Sequence, residues 1–339
     1  MRDWRRLGLG LLLLAGIPAC GPSRPRTVVR EFPGMGTLGS VTALSDEEAF
    51  AWAAQCAQIT REWESRLSLF QADSELARIN GAAGREAVPV SSETIRPIVT
   101  ALRLAEESAG AFDPTVGPLM RLWGFRRDGA IRKPSAEEIA AIRERVGYGF
   151  VRVSGQTVLL EREGMQLDLG GIGKGFAVDR CWEAIRRTAG DRPFLVNLGG
   201  NMRVSGRPSS DRPWRIGIRH PFQPDALIGT LRLDDGMAVA TSGHYEQFVE
   251  VGGDRWSHIM DPRRGEPVRG MASVTVVADT AEEADGLSTT LFVLGPEEGE
   301  AFLRRTGRTA AVLYVPDRQP LQLIPNPAMA ILLQKKKTD

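Results

Sequence analysis

The sequence of 339 residues is poor in the side chains that build metal clusters and disulfide frameworks, with only three histidines and three cysteines. A cysteine-rich zinc site and a disulfide scaffold are therefore excluded. Cys56 and Cys181 both fall inside amphipathic helical patterns, so we predict two buried free thiols, with pairing left open. Neither sign of charge is in excess, since 43 Lys and Arg stand against 42 Asp and Glu. A nucleic-acid binder should show a basic excess, so we expect no nucleic acid among the partners.

Long apolar runs are also scarce, and the longest lies at the N-terminus. Residues 7–15 are apolar but fall short of the roughly 18 residues that a membrane-spanning helix needs. They follow a basic start and precede Cys20, with the small residue Ala19 directly before it. This pattern is similar to a bacterial lipoprotein signal, which predicts a signal peptide over 1–19, lipidation of Cys20 and a tether over 20–31. A plain secretory signal is the alternative. We expect an exported protein, lipid-anchored to a bacterial membrane and facing the periplasm or outer side.

The remaining composition, 42% hydrophobic and 25% charged, is that of a globular protein and excludes a wholly disordered chain, a collagen or a coiled coil. Capping signals in the first half predict three helices, at about 46–67, 92–108 and 136–147. Short strands separated by turns follow from 150 to 278, which is typical of antiparallel meanders. We therefore predict an α+β fold with antiparallel sheets flanked by helices, one domain over 32–325 and a C-terminal tail over 326–339.

The strongest local signal for chemistry is the glycine-rich segment 168–175, which reads DLGGIGKG. We predict a strand over 165–169, a tight turn, and a helix that begins near Phe176. Successive glycine N–H groups, a helix N-terminus and Lys174 would together form a cradle for an anion such as phosphate. The spacing matches neither a P-loop nor the dinucleotide-binding fingerprint. A tight turn that packs against a neighbouring element is the alternative.

A second candidate site lies on a helix predicted over 281–294, where Asp285 and Thr289 are four residues apart and share one face. Carboxylate and hydroxyl oxygens are hard ligands that suit Mg²⁺ rather than zinc or copper. An exposed Asp beside a Thr bonded to its own helix is the alternative. Histidine is a common general base for a hydroxyl. On chemistry alone the three histidines are equally available: His220, His244 and His258.

Taken together, the segments resemble the FAD:protein FMN transferase family, the ApbE-like flavin transferases. Each segment alone is a weak signal, but they occur in order from about residue 32 to 315. The family also often carries a lipoprotein signal, which agrees with Cys20. The matching segments are 35–37, 65–80, 112–119, 122–125, 168–179, 197–201, 241–243, 258–265 and 284–289.

The resemblance implies an ApbE-like fold and a phosphoryl-transfer enzyme. Such an enzyme cleaves FAD and attaches FMN to a Thr or Ser hydroxyl of a target protein, with release of AMP and with Mg²⁺ as cofactor. The implied targets are exported flavoprotein subunits of redox complexes. Two other functions stay open: a lipoprotein for redox or assembly that binds FAD without transferring it, and an Mg²⁺-dependent FAD pyrophosphatase that uses water.

The resemblance also implies roles for individual residues. His258 would be the base that activates the target hydroxyl, although His244 stands where the family usually has Asp and is a rival. The family often has Tyr at the position of Phe70, so stacking is kept there and a hydroxyl contact is not. Implied contacts to FAD are Met35, Phe70, Ala111, Phe112, Asp113, Lys174 and Ile259. Implied ligands of Mg²⁺ are the Gly171 carbonyl, Asp285 and Thr289.

Overall fold

A computed structural model describes residues 27–126, 132–209, 212–244, 248–251 and 254–335. The predicted signal peptide, Cys20 and most of the predicted tether lie outside these residues. Within the described part of the chain, no helix has both the length and the apolar character needed to cross a membrane.

Helices dominate the first half of the chain and strands dominate the second half. The helices are α1 (Asp46–Leu67), α2 (Glu75–Gly81), α3 (Ser92–Glu107), α4 (Gly117–Leu122), α5 (Ala136–Arg143), α6 (Gly173–Ala189), α7 (Ala281–Thr306) and α8 (Pro327–Leu332). The strands up to the middle of the chain are β1 (Val28–Gly34), β2 (Thr37–Ala43), β3 (Val88–Pro89), β4 (Val151–Ser154), β5 (Thr157–Leu160), β6 (Phe194–Leu198), β7 (Asn201–Ser205) and β8 (Trp214–His220). The later strands are β9 (Gln223–Leu233), β10 (Ala238–Gly243), β11 (Phe248–Val251), β12 (Asp254–Ser257), β13 (Met260–Asp261), β14 (Glu266–Pro267), β15 (Met271–Ala278), β16 (Ala311–Pro316), β17 (Ile324–Pro325) and β18 (Leu333–Lys335).

The centre of the fold is an eight-stranded sheet with the order β1-β2-β6-β7-β10-β15-β16-β17, and its neighbouring strands are antiparallel. Helices α1, α6 and α7 cover one face of this sheet. A three-stranded sheet in the order β18-β9-β8 and helix α8 cover the other face. This arrangement confirms the predicted α+β class with antiparallel sheets flanked by helices.

Strand β6 shows why the central strands read as continuous apolar runs. Successive side chains of a strand point to opposite faces. Val196 therefore packs against the helices, while its neighbour Leu195 packs under the small sheet. Every residue of β15 is buried for the same reason. Both faces of the sheet are covered, so the alternation of apolar and polar residues expected of a half-exposed strand is absent here.

The capping signals place the helix starts correctly, although α5 ends at Arg143 rather than near the predicted residue 147. The side chains of Ser45, Ser91, Ser135 and Thr280 each accept the N–H three residues later. At Ser135 the Glu138 carboxylate also accepts the Ser135 N–H, which completes a capping box. Each bond satisfies an N–H that the first helical turn leaves without an intrahelical partner.

Strands β1 and β2 form a hairpin, because Met35 adopts a positive φ of 51° and the chain reverses there. The end predicted at residue 294 for the helix that begins at 281 is wrong, because α7 continues to Thr306 with non-helical backbone at Gly295. Helix α8 and strand β18 lie within the predicted C-terminal tail, and β18 pairs with β9.

Cys56 on α1 and Cys181 on α6 are free thiols and are buried, as predicted. The Cys181 thiol lies 3.9 Å from the Cys56 carbonyl oxygen, where α1 packs against α6. The hydrogen bond with the neighbouring Cys181 thiol, together with burial, raises the pKa of Cys56, so this thiol stays protonated and behaves as a small apolar side chain.

Candidate active site

The glycine-rich segment is held by side-chain and loop contacts rather than by a sheet. The strand predicted over 165–169 is wrong, since only Gln166 forms a single bridge, to Val116. The Asn80 side chain replaces a neighbouring strand: its oxygen accepts the Leu167 N–H at 2.7 Å and its nitrogen donates to the Leu167 carbonyl at 3.0 Å. The Asp168 carboxylate pairs with Arg126 and accepts the Gly170 N–H, which fixes the start of the turn.

Helix α6 begins at Gly173, three residues earlier than predicted, so Lys174 and Gly175 belong to its first turn. Gly175 lies against the first turns of α7, and a Cβ atom placed on it would be 2.1 Å from the Ala281 carbonyl oxygen. Only a residue without a side chain permits this approach. The Gly175 N–H donates to Asp285 Oδ2 at 2.8 Å, so the close contact joins the glycine-rich segment to Asp285.

Asp285 is a buried carboxylate, and its surroundings include groups that raise its pKa and groups that lower it. Burial raises the pKa of Asp285, and the negative charge of Asp179 adds to that effect. The charge of Lys174, the Gly175 N–H and the Asn201 amide lower the same pKa. A buried carboxylate needs partners for all of its lone pairs, and a cation that binds oxygen could be one partner beside Lys174 and the N–H donors.

A second set of polar contacts lies one turn of α6 beyond Gly175 and holds α6, α7 and β7 together around the contact between Gly175 and Asp285. Asp179 follows Gly175 by four residues on α6, and its carboxylate accepts the N–H groups of Ala281 and Glu282 at the start of α7. Arg203 of β7 donates to Asp179 Oδ1 at 2.7 Å. Side chains two residues apart on a strand share a face, so Asn201 of β7 lies on the same face as Arg203 and is directed toward Gly175 and Asp285.

Thr289 follows Asp285 by one turn of α7 and is half-buried, whereas Asp285 and Ser288 are buried. A Cβ atom placed on Gly171 would lie 3.3 Å from Thr289 Oγ1 and 3.0 Å from the Phe112 ring. The structure therefore brings Gly171, Asp285 and Thr289 together at the junction of the glycine-rich segment with α7. Phe112 forms the apolar side of the same junction.

Met35 reaches this junction from the β1–β2 turn. Its side chain lies close enough that a Cβ atom on Gly173 would be 3.6 Å from Met35 Cε. Glu64 of α1 accepts the Met35 N–H at 3.3 Å, which holds the turn in its positive-φ conformation. Gly199, in the β6–β7 turn, donates its N–H to the Leu38 carbonyl, so this second turn lies beside the first.

Residues 111–113 lie in a buried loop next to the same junction. Phe112 packs in one core cluster with Ile172 of the glycine-rich segment and with Ile259. The Asp113 carboxylate accepts the Thr115 N–H at 2.8 Å, the Thr115 hydroxyl at 2.6 Å and the Tyr148 N–H at 3.0 Å. Burial raises the pKa of Asp113, and these three donors oppose that shift. The Asp113 side chain thus holds the loop in shape.

The remaining predicted residues, Phe70 and the histidines, differ in their exposure and in their neighbours. Phe70 follows α1 and is 66% exposed. His258 is half-buried and precedes Ile259, whose side chain is in the Phe112 cluster. His244 has its Nε2 3.9 Å from Asp317 and its ring beside Phe222.

His220 contacts the connection between β8 and β9. Its Nδ1 accepts the N–H of Phe222, and its ring packs against the same Phe222. His220 and His244 therefore share a neighbour that belongs to the β8–β9 connection. Of the three histidines, His258 is the one next in sequence to a member of the core cluster that contains Phe112 and Ile172.

The donor set at the junction fits a hard divalent cation. A buried carboxylate, a half-buried hydroxyl and a main-chain carbonyl are the oxygen ligands that Mg²⁺ takes, with remaining positions left to water and phosphate. Within the described residues there is no group of three or more His, Cys, Asp and Glu side chains that could bind a metal.

Two further residues, Ser242 and Asn201, lie at the junction without having been predicted as site residues. Ser242 of β10 contacts the hydroxyls of Ser288 and Thr289, and Asn201 lies beside Asp285. Both belong to segments that match the family, 241–243 and 197–201, so the signal was present. Neither serine nor asparagine, as a residue type, predicts a contact with a helix that is distant in sequence.

The comparisons with known proteins agree with this architecture. The ApbE family model matches residues 35–313. A FAD:protein FMN transferase from Klebsiella pneumoniae is 34% identical over 312 residues, which is 89% of each chain. The apo flavinyl transferase ApbE of Pseudomonas stutzeri is 32% identical with a TM-score of 0.79, and the alignment covers 91% of this chain and 96% of that one. The ApbE protein of Thermotoga maritima is 31% identical with a TM-score of 0.83, covering 91% of this chain and 100% of that one. The chain belongs to the ApbE family.

Proposed function

We propose that the protein is an Mg²⁺-dependent FAD:protein FMN transferase. Its substrates are FAD and a Thr or Ser hydroxyl of an exported flavoprotein subunit. The oxygen of that hydroxyl forms a bond to the FMN phosphorus, the pyrophosphate bridge breaks, and AMP leaves with the bridging oxygen. The observation that carries the proposal is the junction at which Gly171, Asp285 and Thr289 meet Lys174 and the Phe112 cluster, in a chain of this family.

Each part of the junction has a chemical task in this reaction. Lys174 would stabilise the charge that develops on the phosphate oxygens, whereas the N–H groups of Gly170, Gly173 and Gly175 already donate within the protein and do not form the predicted cradle. Gly171, Asp285 and Thr289 would hold Mg²⁺, which when bound supplies charge neutralisation for the pyrophosphate and the leaving AMP. Met35, Phe70, Phe112 and Ile259 would provide apolar contacts for the flavin.

His258 would accept the proton of the attacking hydroxyl. A hydroxyl is a poor nucleophile until its proton is removed, and a positioned base accelerates such a step by about 10²- to 10⁴-fold. Its attachment to Ile259 supports His258 over His244, whose ring lies beside Phe222 and Asp317. The neutral imidazole is the form that accepts the proton, so transfer should require deprotonated His258.

Intact-mass spectrometry of an acceptor protein tests this function. The protein is incubated with FAD, Mg²⁺ and a flavin-free candidate acceptor, and the Klebsiella pneumoniae relative is the positive control for that acceptor. We expect the acceptor to gain the mass of FMN less one water, and an acceptor whose hydroxyl has been removed to gain nothing. An acceptor that is modified by the relative and left unmodified by this protein would contradict the proposal.

We also propose that the protein is exported and anchored by a lipid on Cys20. The support is the sequence pattern before Cys20 and the short distance along the chain from Cys20 to the first strand at Val28. Membrane fractionation and mass spectrometry of the native N-terminus test this. The Cys20→Ser variant should leave the membrane fraction and keep full transferase activity. An unmodified N-terminus that begins beyond Cys20 would refute the anchor.

A further inference from the structure

Ser242 lies at the end of β10, and its hydroxyl links two residues of α7. Ser242 Oγ is 2.8 Å from Ser288 Oγ and 3.3 Å from Thr289 Oγ1. Ser288 Oγ in turn donates to the Asp285 carbonyl oxygen at 2.9 Å. Ser242 and Ser288 are buried, so these hydroxyls have little water with which to exchange partners. The four groups form a chain of hydrogen bonds that ends at a carbonyl.

The carbonyl fixes the direction of that chain. A carbonyl oxygen can only accept, so the single Ser288 hydroxyl proton is committed to Asp285. In its bond with Ser288, Ser242 must then be the donor, because Ser288 has no second proton. The Ser242 proton is thereby used, and in the remaining contact Thr289 donates to Ser242. The proton of Thr289 Oγ1 therefore points toward β10.

This direction decides what Thr289 offers to the junction. Because Ser242 accepts the Thr289 proton, the lone pairs of Thr289 Oγ1 face away from β10. Gly171 is next to that oxygen, since a Cβ atom placed on Gly171 would lie 3.3 Å from it. A hydroxyl binds a cation through its lone pairs, and a proton in that direction would repel the cation. We infer that Ser242 is a positioning residue which presents Thr289 Oγ1 to the cation as an acceptor. This inference rests on the proposed function for the role of the cation.

The inference predicts a specific effect on metal affinity. Loss of an outer partner of a metal ligand typically weakens affinity by about 10- to 100-fold. Ser242→Ala leaves the Thr289 proton free to rotate toward the cation and should weaken binding of divalent cation within that range. Ser242→Thr keeps the hydroxyl and should restore most of the affinity. FAD affinity measured without metal should stay unchanged in both variants.

Thr241→Val is the matched control. Thr241 precedes Ser242 on the same strand and its hydroxyl pairs with Thr275 at 2.9 Å, away from Thr289. This variant also removes one hydroxyl-to-hydroxyl contact from β10, so it reports the structural cost of such a loss. We expect its metal affinity to equal that of the wild type, whatever its melting temperature.

The experiment is calorimetric titration of Mn²⁺, as a substitute for Mg²⁺, into FAD-loaded protein without acceptor. The expected result is weak binding by Ser242→Ala, near-normal binding by Ser242→Thr, and normal binding by Thr241→Val. If the wild type binds Mn²⁺ and Ser242→Ala binds it equally well, the positioning role is refuted and the proposed function stands. A wild type that binds no Mn²⁺ would overturn the metal part of the proposed function, and the inference with it.

Discussion

The close approach of α6 to α7 at Gly175 predicts a large effect from the smallest possible side chain. In Gly175→Ala the added Cβ would lie 2.1 Å from the Ala281 carbonyl oxygen and 2.7 Å from Asp285 Cβ. Such atoms attract at roughly 3.5 Å, so the helices must separate by about 1 Å. Both obstructing atoms belong to backbone or to the base of a side chain, so neither can rotate away.

The magnitude follows from three contributions. Forced overpacking costs about 1–3 kcal/mol. Separation of the helices also weakens the 2.8 Å bond from the Gly175 N–H to Asp285, and a hydrogen bond to a charged group contributes about 1.5–3 kcal/mol. Alanine recovers up to about 1 kcal/mol over glycine through helix propensity. We expect a net loss of about 2–4 kcal/mol in the free energy of unfolding.

Gly173→Ala is the control, because it lies in the same helical turn and its Cβ would make only an ordinary 3.6 Å contact with Met35. Urea unfolding without metal compares the two variants, and Mn²⁺ titration follows the effect on Asp285. We expect Gly173→Ala to stay within about 1 kcal/mol of the wild type. Equal unfolding midpoints for the two variants would refute the close approach on which the junction depends.

Three other predictions concern charge and proton transfer. Asp285→Asn removes the charged ligand and should lower FMN transfer by about 100-fold or more, since a metal ligand matters more than its outer partners. Flavin fluorescence should show that FAD binding is largely retained. Normal transfer at limiting Mg²⁺ would contradict the assignment of Asp285 as a ligand. His258→Ala should lower turnover by about 10²- to 10⁴-fold with FAD affinity unchanged, while His244→Ala and His220→Ala stay active in an in-gel fluorescence assay; the reverse pattern would move the base to His244. The bond from Arg132, with the Ser135 N–H, lowers the pKa of Glu138 from 4.5 to about 2, so its charge stabilises the fold above pH 4.5 and that contribution is lost as the pH falls toward 2. Glu138→Gln should therefore be less stable than the wild type at neutral pH and approach it near pH 2 in urea unfolding, and a constant difference across that range would show that the charge plays no part.

The sequence predicts the helix starts and the short antiparallel strands from 150 to 278 well, and it fails at residues 165–169, for physical reasons. Helices α1, α3 and α5 begin where Ser45, Ser91 and Ser135 cap them, because a cap acts within three residues of itself. The extended segment before the glycine-rich turn has no strand as its partner, since the Asn80 side chain takes that place. Such a partner is distant in sequence and leaves no periodic signal.

The same distinction applies to the candidate site. Asp285 and Thr289 could be paired from the sequence because their spacing of four residues places them on one helix face. Their neighbours Ser242 and Asn201 come from other strands, and only the packing of β10 and β7 against α7 brings them there. The engagement of His244 with Phe222 and Asp317 likewise depends on the fold, and it separates two histidines that the sequence left equivalent.

The stoichiometry of AMP release tests the central claim most directly. One reaction with FAD and Mg²⁺ is divided into samples with an intact acceptor, with an acceptor lacking its hydroxyl, and with no acceptor, and AMP, free FMN and acceptor-bound flavin are measured in each. The account predicts one AMP for each flavin bound to the intact acceptor, with little AMP or free FMN in the other two samples. Equal amounts of AMP and free FMN in all three samples would contradict it, because the protein would then transfer FMN to water rather than to protein.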